Sequence, residues 1–108
     1  MKNTITIKSV QEIAVMREGG RILAAILQKL KGEIRPGVPT HDLNKLAEEL
    51  LLRYGAEPSF KGYRPSGAKK PYPAALCVSM NEEIVHTPPS DRILKEGDII
   101  TLDFGVLY

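Results

Sequence analysis

The sequence predicts an α+β fold in which two helices pack on an antiparallel sheet. Apolar residues recur at the spacing of one helical face between residues 13 and 30 and again between 43 and 54. Apolar stretches with the two-residue period of strands follow between residues 74 and 106. A chain of 108 residues can bury one hydrophobic core, so we predict a single domain over residues 1–108.

The first helix is predicted to begin at a capping box. Ser9 can accept a hydrogen bond from the first turn, and Glu12 can reach back to the amide of Ser9. Gly32 follows the last apolar residue of the stripe and is expected to close the helix. Gly19 and Gly20 each cost about 1 kcal/mol relative to alanine, so either another backbone approaches closely there or the helix tolerates a weak spot.

The second helix is predicted to follow the turn at Pro36–Pro39. Thr40 is a suitable N-cap residue, and Gly55 is a suitable glycine just beyond the helix end. His41 falls in the first turn, away from the apolar stripe, and we expect solvent around it rather than a metal.

Three strands are predicted in the second half of the chain. Ala74–Ser79 and Ile84–His86 form a hairpin around a turn at Asn81 and Glu82, and the prolines after Thr87 end its pairing. The third strand spans Asp98–Val106. Its even-numbered apolar residues are expected to pack on the helices, which places Asp103 on the opposite face.

Asp103 and His86 are the residues best suited to chemistry. A carboxylate within an apolar strand needs a metal, a cation or hydrogen bonds as compensation. The pair could form a metal-assisted hydrolytic site, or Asp103 could belong to a hydrogen-bond network and His86 could simply end a strand. Cys77 and His86 could act as nucleophile and base, but the sequence offers no third group to orient them, and a small buried cysteine is the better explanation of Cys77.

The segment from 56 to 73 differs in composition from the rest, being rich in proline, glycine, lysine and aromatic residues. We predict a long loop whose Phe60, Tyr63 and Tyr72 line an apolar pocket. Its cationic side chains face either solvent or an anionic partner; they are Lys61, Arg64, Lys69 and Lys70.

Overall composition narrows the functional classes. The net charge of +2 gives no support for nucleic-acid binding. A single cysteine excludes an intrachain disulfide and suits a reducing compartment. The chain lacks the apolar core of a signal peptide and any apolar run long enough to cross a bilayer, so we expect a cytoplasmic protein without a membrane partner.

Four motifs occur in order along the chain: MREGG at 16–20, PSFKGY at 58–63, YPAALCVSMNE at 72–82 and LKEGDIITLDFG at 94–105. In these segments the chain resembles the N-terminal half of type I methionine aminopeptidases. The resemblance implies a pita-bread fold and the removal of N-terminal methionine from nascent proteins. It also implies two divalent metal ions, such as Co, Mn, Fe or Zn, in the complete enzyme.

The same resemblance assigns roles to particular residues. Asp103 matches a metal-ligand aspartate, and His86 matches the histidine that contacts the scissile region and handles a proton. Tyr63, Tyr72 and Cys77, with Phe60 beside them, match the pocket for the methionine side chain. A soft sulfur within an apolar pocket suits a thioether.

The chain departs from the family pattern in three places, one of which is a loop between Tyr63 and Tyr72 that is longer than in some relatives. His86 is followed by Thr87-Pro88-Pro89, where the family usually has Gly-Ile-Pro. The remaining metal ligands are expected beyond Asp103, so the chain is predicted to be a truncation or a natural half. Two halves of this fold are related by a pseudo-two-fold axis, which suggests a homodimer or a complementary C-terminal half as partner. The alternative is a non-catalytic module that binds peptide or self-associates.

Overall fold

The computed structural model describes residues 4–108, and Met1–Asn3 lie outside the described residues. The elements are α1 (Val10–Gly32), α2 (Thr40–Arg53), β1 (Glu57–Pro58), β2 (Leu76–Met80), β3 (Ile100–Phe104) and β4 (Val106–Leu107). Strand β2 pairs with β3 and β1 pairs with β4, both antiparallel. The predicted α+β class, with two helices beside antiparallel strands, is therefore confirmed.

Helix α1 begins at the predicted capping box. The Glu12 amide donates to Ser9 Oγ over 3.1 Å, and the Ser9 amide donates to the Glu12 carboxylate over 2.8 Å. The residues of α1 that are buried all lie in its C-terminal half: Ile22, Ile26 and Leu30. The N-terminal half of α1 therefore packs little against the rest of the described chain.

The two glycines within α1 have little around them. A Cβ at Gly19 would lie 3.4 Å from the Tyr108 Cβ, which is an ordinary van der Waals distance, and a Cβ at Gly20 would meet nothing within 4 Å. No backbone approaches either glycine closely within residues 4–108. Of the two explanations, a tolerated weak spot in the helix is the one that the structure favours.

Helix α2 starts where predicted, but its N-cap is Pro39 and not Thr40. Thr40 is the first residue of the helix, and its hydroxyl does not cap the helix but bonds to Ser90. The hydroxyl donates to the Ser90 carbonyl over 3.1 Å and accepts from the Ser90 amide over 2.8 Å. These bonds fasten the start of α2 to the loop after β2. At the other end Gly55 has φ +69°, as predicted for the glycine beyond a helix C-terminus.

The predicted hairpin between Ala74–Ser79 and Ile84–His86 is wrong. Strand β2 pairs with β3, and the segment between them contains no strand. His86 has φ +60°, which is incompatible with a strand. Asn81 redirects the chain instead, since its side chain donates to Asp98 Oδ1 and accepts from the Ile99 amide, each over 3.0 Å.

The predicted division of the third strand into two faces is confirmed. Ile100, Leu102, Phe104 and Val106 pack against the core, whereas Thr101 and Asp103 are exposed. The core itself is built from the buried sides of both helices, from β2 and from Phe104.

In residues 4–108, neither helix combines the length and apolarity needed to cross a bilayer.

Gly105 separates β3 from β4 at a point of close packing. A Cβ there would lie 2.0 Å from Ser59 Oγ, 3.2 Å from Ser59 Cβ and 3.3 Å from Phe60 Cε1. The Ser59 hydroxyl can rotate away, but the other two contacts remain. The absence of a side chain at Gly105 therefore lets the segment at Phe60 lie against the strand.

We expect Gly105→Ala to lower the free energy of unfolding by about 1–3 kcal/mol, because it overpacks this contact. Urea denaturation measures the change. Gly20→Ala is the matched control: with open space around it, the new methyl should stabilise α1 by about 0.5–1 kcal/mol. Equal stability of the Gly105→Ala variant and the original chain would contradict the packing described here.

Candidate active site

The open face of the β2–β3 ladder carries Asp103. Asp103 is the direct partner of Cys77 in this antiparallel pair, so both side chains lie on the same face. The opposite face packs on the core. The Asp103 carboxylate is exposed to solvent, so hydrogen bonds to water can compensate its charge. Solvent satisfies the charge in the described chain, and the carboxylate is free to accept a ligand.

A pocket of about 550 Å³ opens on this face, within the usual range for small-molecule sites. The structure brings together here every residue predicted from the sequence to bind or react, namely Phe60, Tyr63, Tyr72, Cys77, His86 and Asp103. The remaining lining comes from the long loop, at Pro65, Ala68, Lys70, Pro71 and Pro73. The walls are mostly apolar, and the charged groups of Lys70 and Asp103 supply polarity.

The loop closes over the pocket because its two ends pair with each other. The Gly62 amide donates to the Tyr72 carbonyl over 2.8 Å, and the Tyr72 amide donates to the Tyr63 carbonyl over 2.7 Å. The rings of Phe60 and Tyr72 meet edge to face, with centroids 5.7 Å apart. This arrangement fixes two aromatic walls, while Tyr63 is 62% exposed and lies at the rim.

Helix α2 anchors both ends of the loop through two half-buried polar residues. Asn44 Oδ1 accepts from the amides of Ala75 and Leu76 over 2.9 and 3.1 Å, and Asn44 Nδ2 donates to Glu48 over 2.6 Å. Glu48 also forms an ion pair with Lys61. Lys61 is therefore paired within the chain, and its side chain remains exposed to solvent.

Sequence reasoning missed Asn44 and Glu48. The available signal was their four-residue spacing, which places two polar groups together on one side of α2, next to the apolar stripe. The spacing alone does not reveal which loop they hold. The loop that Asn44 holds is recognised only from the position of Ala75 in the folded chain.

Cys77 is the buried residue of the pocket lining, and Tyr72 beside it is half-buried. Cys77 is only 4% exposed, and burial raises the pKa of its thiol. Burial also raises the pKa of Tyr72, whose hydroxyl donates to the Leu76 carbonyl over 3.1 Å and lies 3.3 Å from the Thr87 carbonyl. The neutral thiol argues against Cys77 as an activated nucleophile and favours its reading as a small buried side chain.

We expect the chain to lose stability above about pH 8.5, the ordinary pKa of cysteine. The folded chain keeps Cys77 protonated to a higher pH than the unfolded chain does, so the free energy of unfolding falls as pH rises through this range. Urea denaturation under reducing conditions, in steps from about pH 7.5 to 10, measures the slope. Cys77→Ala should show a shallower fall, and an identical slope in both proteins would contradict the burial of the thiol.

His86 reaches the pocket from a loop and not from the end of a strand. His86 has a left-handed backbone conformation. Its neighbours differ in burial, since Val85 is exposed and Thr87 is half-buried. His86 and Asp103 therefore border the same cavity from different segments. His41 lies elsewhere, exposed at the start of α2, where it is 3.2 Å from the Asp42 carboxylate.

The described residues do not by themselves form a metal site. Within residues 4–108, no group of three or more histidine, cysteine, aspartate or glutamate side chains is arranged to hold a metal ion. Asp103 offers a single exposed carboxylate. A lone carboxylate binds a divalent ion weakly, so any stable site must take most of its ligands from outside these residues.

Comparison with known proteins identifies the family. The model of metallopeptidase family M24 matches residues 14–108. The chain belongs to metallopeptidase family M24. Among curated M24 relatives, methionine aminopeptidase 1 of Bacillus subtilis is 45% identical over 101 residues, covering 94% of the chain and 38% of that protein. The methionine aminopeptidase of Aquifex aeolicus is 40% identical over 105 residues, covering 96% of the chain and 41% of that protein.

Solved M24 structures agree with this assignment. The methionine aminopeptidase of Thermotoga maritima matches with a TM-score of 0.86 at 37% identity, covering 97% of the chain and 40% of that structure. A Xaa-Pro dipeptidase of Bacillus anthracis matches with a TM-score of 0.72 at 26% identity, covering 92% and 25%. The predicted fold, half of a pita-bread domain, is confirmed. The chain spans about two-fifths of the length of the curated relatives named above.

Proposed function

We propose that this chain supplies the methionine pocket and part of the catalytic centre of a metalloaminopeptidase that removes N-terminal methionine from nascent polypeptides. One observation carries the proposal: side chains from a loop, a strand pair and the segment at His86 converge on one apolar cavity. The similarity to methionine aminopeptidases supports the choice of substrate.

The pocket has the chemistry that a methionine side chain requires. Phe60 and Tyr72 provide fixed aromatic walls, and Cys77 provides a buried, polarizable sulfur. Contacts between thioether sulfur and aromatic rings are favourable, and a flexible, unbranched side chain can fill an irregular apolar cavity. We assign Tyr63 to the rim, where its exposed ring can cover a bound side chain.

We assign the polar residues of the pocket, Asp103 and His86, to the catalytic reaction. Asp103 contributes one carboxylate ligand, and His86 contacts the scissile region and transfers a proton there. Divalent ions, among which Co, Mn, Fe and Zn are candidates, supply the activated water in the complete enzyme. Their other ligands lie outside the described residues.

The single, buried, neutral cysteine is compatible with a reducing cytoplasm, which is the location that we propose.

The competing function is a non-catalytic half that binds peptide or pairs with another chain. Its support is a second, apolar groove of about 290 Å³ between α1 and β4. Exposed apolar side chains surround this groove, including Val15, Met16, Leu107 and Tyr108. A homodimer or a complementary C-terminal half would cover them. Light scattering that gives the mass of one chain at micromolar concentration would eliminate the homodimer.

Two measurements test the enzyme proposal. The first is metal-dependent release of methionine from a Met-Gly peptide, by the chain alone and by the chain completed with the part of the Bacillus subtilis relative outside the match. We expect turnover from the completed enzyme. The second is calorimetric titration of both proteins with Co²⁺ and Mn²⁺, with micromolar binding expected only after completion. A completed, folded protein that binds neither metal and releases no methionine would support the non-catalytic module instead.

A further inference from the structure

His86 has a backbone conformation that a residue with a side chain rarely adopts. Its φ of +60° lies in the left-handed region, which is disfavoured by contact between Cβ and the backbone. Such a conformation persists only when the surrounding structure enforces it. The imidazole nevertheless lines the pocket, so the residues next to His86 must hold it there.

Thr87 is the neighbour that is fastened to the sheet. Its carbonyl accepts from the Val78 amide over 2.9 Å and lies 3.3 Å from the Tyr72 hydroxyl. Its own hydroxyl is bonded to the Ser79 hydroxyl over 3.2 Å. Val78 and Ser79 both belong to β2. One residue is thus tied to two successive strand residues and to an aromatic wall of the pocket.

Thr87 is more buried than the residues on either side of it. His86 and Pro88 on either side are exposed, whereas Thr87 is half-buried. Pro88 and Pro89 have no amide hydrogen and restricted backbone rotation, so they limit the freedom of the segment without adding donors. The hydroxyl contact is possible because this chain has threonine where the family pattern has glycine. A glycine would leave the Ser79 hydroxyl without this partner.

We propose that Thr87 is a positioning residue that holds His86 at the pocket. Its carbonyl and hydroxyl fix the backbone on β2, and that attachment enforces the left-handed conformation of His86. The shared contact at the Thr87 carbonyl also links the placement of His86 to the aromatic wall formed by Tyr72. The significance for catalysis rests on the function proposed above, but the conformational effect does not.

The test uses nuclear magnetic resonance of the 108-residue chain and three variants. Thr87→Val removes the hydroxyl and keeps the branched shape, Thr87→Ser restores a hydroxyl, and Thr101→Val is the matched control. Thr101 is the ladder partner of Ser79 and is exposed, and its hydroxyl makes no hydrogen bond among residues 4–108. The readouts are the Cα and Cβ chemical shifts of His86, which report its backbone angles, and hydrogen exchange at the Val78 amide.

We expect Thr87→Val to move the His86 shifts away from left-handed values and to accelerate Val78 exchange by about fivefold to tenfold. Thr87→Ser should return both readouts toward the original chain, and Thr101→Val should leave them unchanged. The proposal is overturned if Thr87→Val alters neither readout, if Thr87→Ser fails to restore them, or if Thr101→Val has the same effect.

A second variant keeps the test decisive if Thr87→Val unfolds. Tyr72→Phe removes the other donor to the Thr87 carbonyl while leaving Thr87 intact, and we expect it to shift the same His86 resonances in the same direction. Unchanged His86 shifts in that variant would overturn the proposal that the contacts of the Thr87 carbonyl hold His86 in place. None of these readouts requires turnover, so loss of the positioning effect and failure of the proposed enzymatic function give separate results.

Discussion

Asp103→Ala is expected to reduce methionine release by the completed enzyme by on the order of a hundredfold or more. The substitution removes the exposed carboxylate that we assign as a metal ligand at the edge of the pocket. Because the side chain lies on the open face, its loss should change the free energy of unfolding by less than about 0.5 kcal/mol. The expected result is an inactive protein that remains folded.

Steady-state kinetics and calorimetric metal titration measure this effect together. Asp91→Ala is the matched control, since Asp91 is exposed and is absent from the residues that line the pocket. It should retain full turnover and metal affinity. Normal metal binding and turnover in Asp103→Ala would remove Asp103 from the catalytic centre, even if the rest of the proposed function held.

Leu51→Ala is expected to lower the free energy of unfolding by about 2–5 kcal/mol. Leu51 is 1% exposed and belongs to the core cluster that joins α2 to the sheet. Truncation leaves a cavity that close-packed neighbours fill only partly. A loss of this size is a large part of the 5–15 kcal/mol by which a domain is usually stable, so partial unfolding at moderate temperature should follow.

The adjacent residue provides the control for this prediction. Leu52 is 79% exposed, so Leu52→Ala should change the free energy of unfolding by no more than about 0.5 kcal/mol. Urea denaturation of both variants compares identical chemistry at neighbouring positions. Similar losses in the two variants would mean that Leu51 is not in the core or that another chain covers Leu52.

Features encoded by local sequence were predicted correctly. The capping box at Ser9 and the left-handed Gly55 each depend on a few neighbouring residues, whose backbone preferences act over a single turn. The face of β3 that carries Asp103 followed from the two-residue period. In each case a short-range pattern determines the geometry, so the sequence is sufficient.

Features that depend on distant partners were not predicted. Thr40 has the residue type of an N-cap, but its hydroxyl bonds Ser90, fifty positions away. The hairpin failed for the same reason, since Ile84–His86 has a strand-like composition while Asn81 directs the chain toward Ile99. In both cases a contact between residues far apart in the sequence outweighed the local preference, and a short stretch of sequence does not show such a contact.

The candidate site shows the same division. Residue type and resemblance indicated which side chains meet in the pocket, and the structure places them there. The two-residue period placed Asp103 on the face away from the helices, but it did not show that the carboxylate on this face is exposed to solvent. Asn44, which holds the loop through Ala75, was missed because a helical asparagine gives no sign of its partner.

The most direct test of the central claim is whether the pocket of this chain binds a methionine side chain. Nuclear magnetic resonance titration with Met-Gly, beside Asp-Gly as control, locates the binding residue by residue. We predict that Met-Gly shifts the resonances of Tyr72, Cys77 and His86 and that Asp-Gly does not. Equal shifts with both dipeptides, or shifts confined to the groove between α1 and β4, would contradict the assignment of this cavity as a methionine pocket.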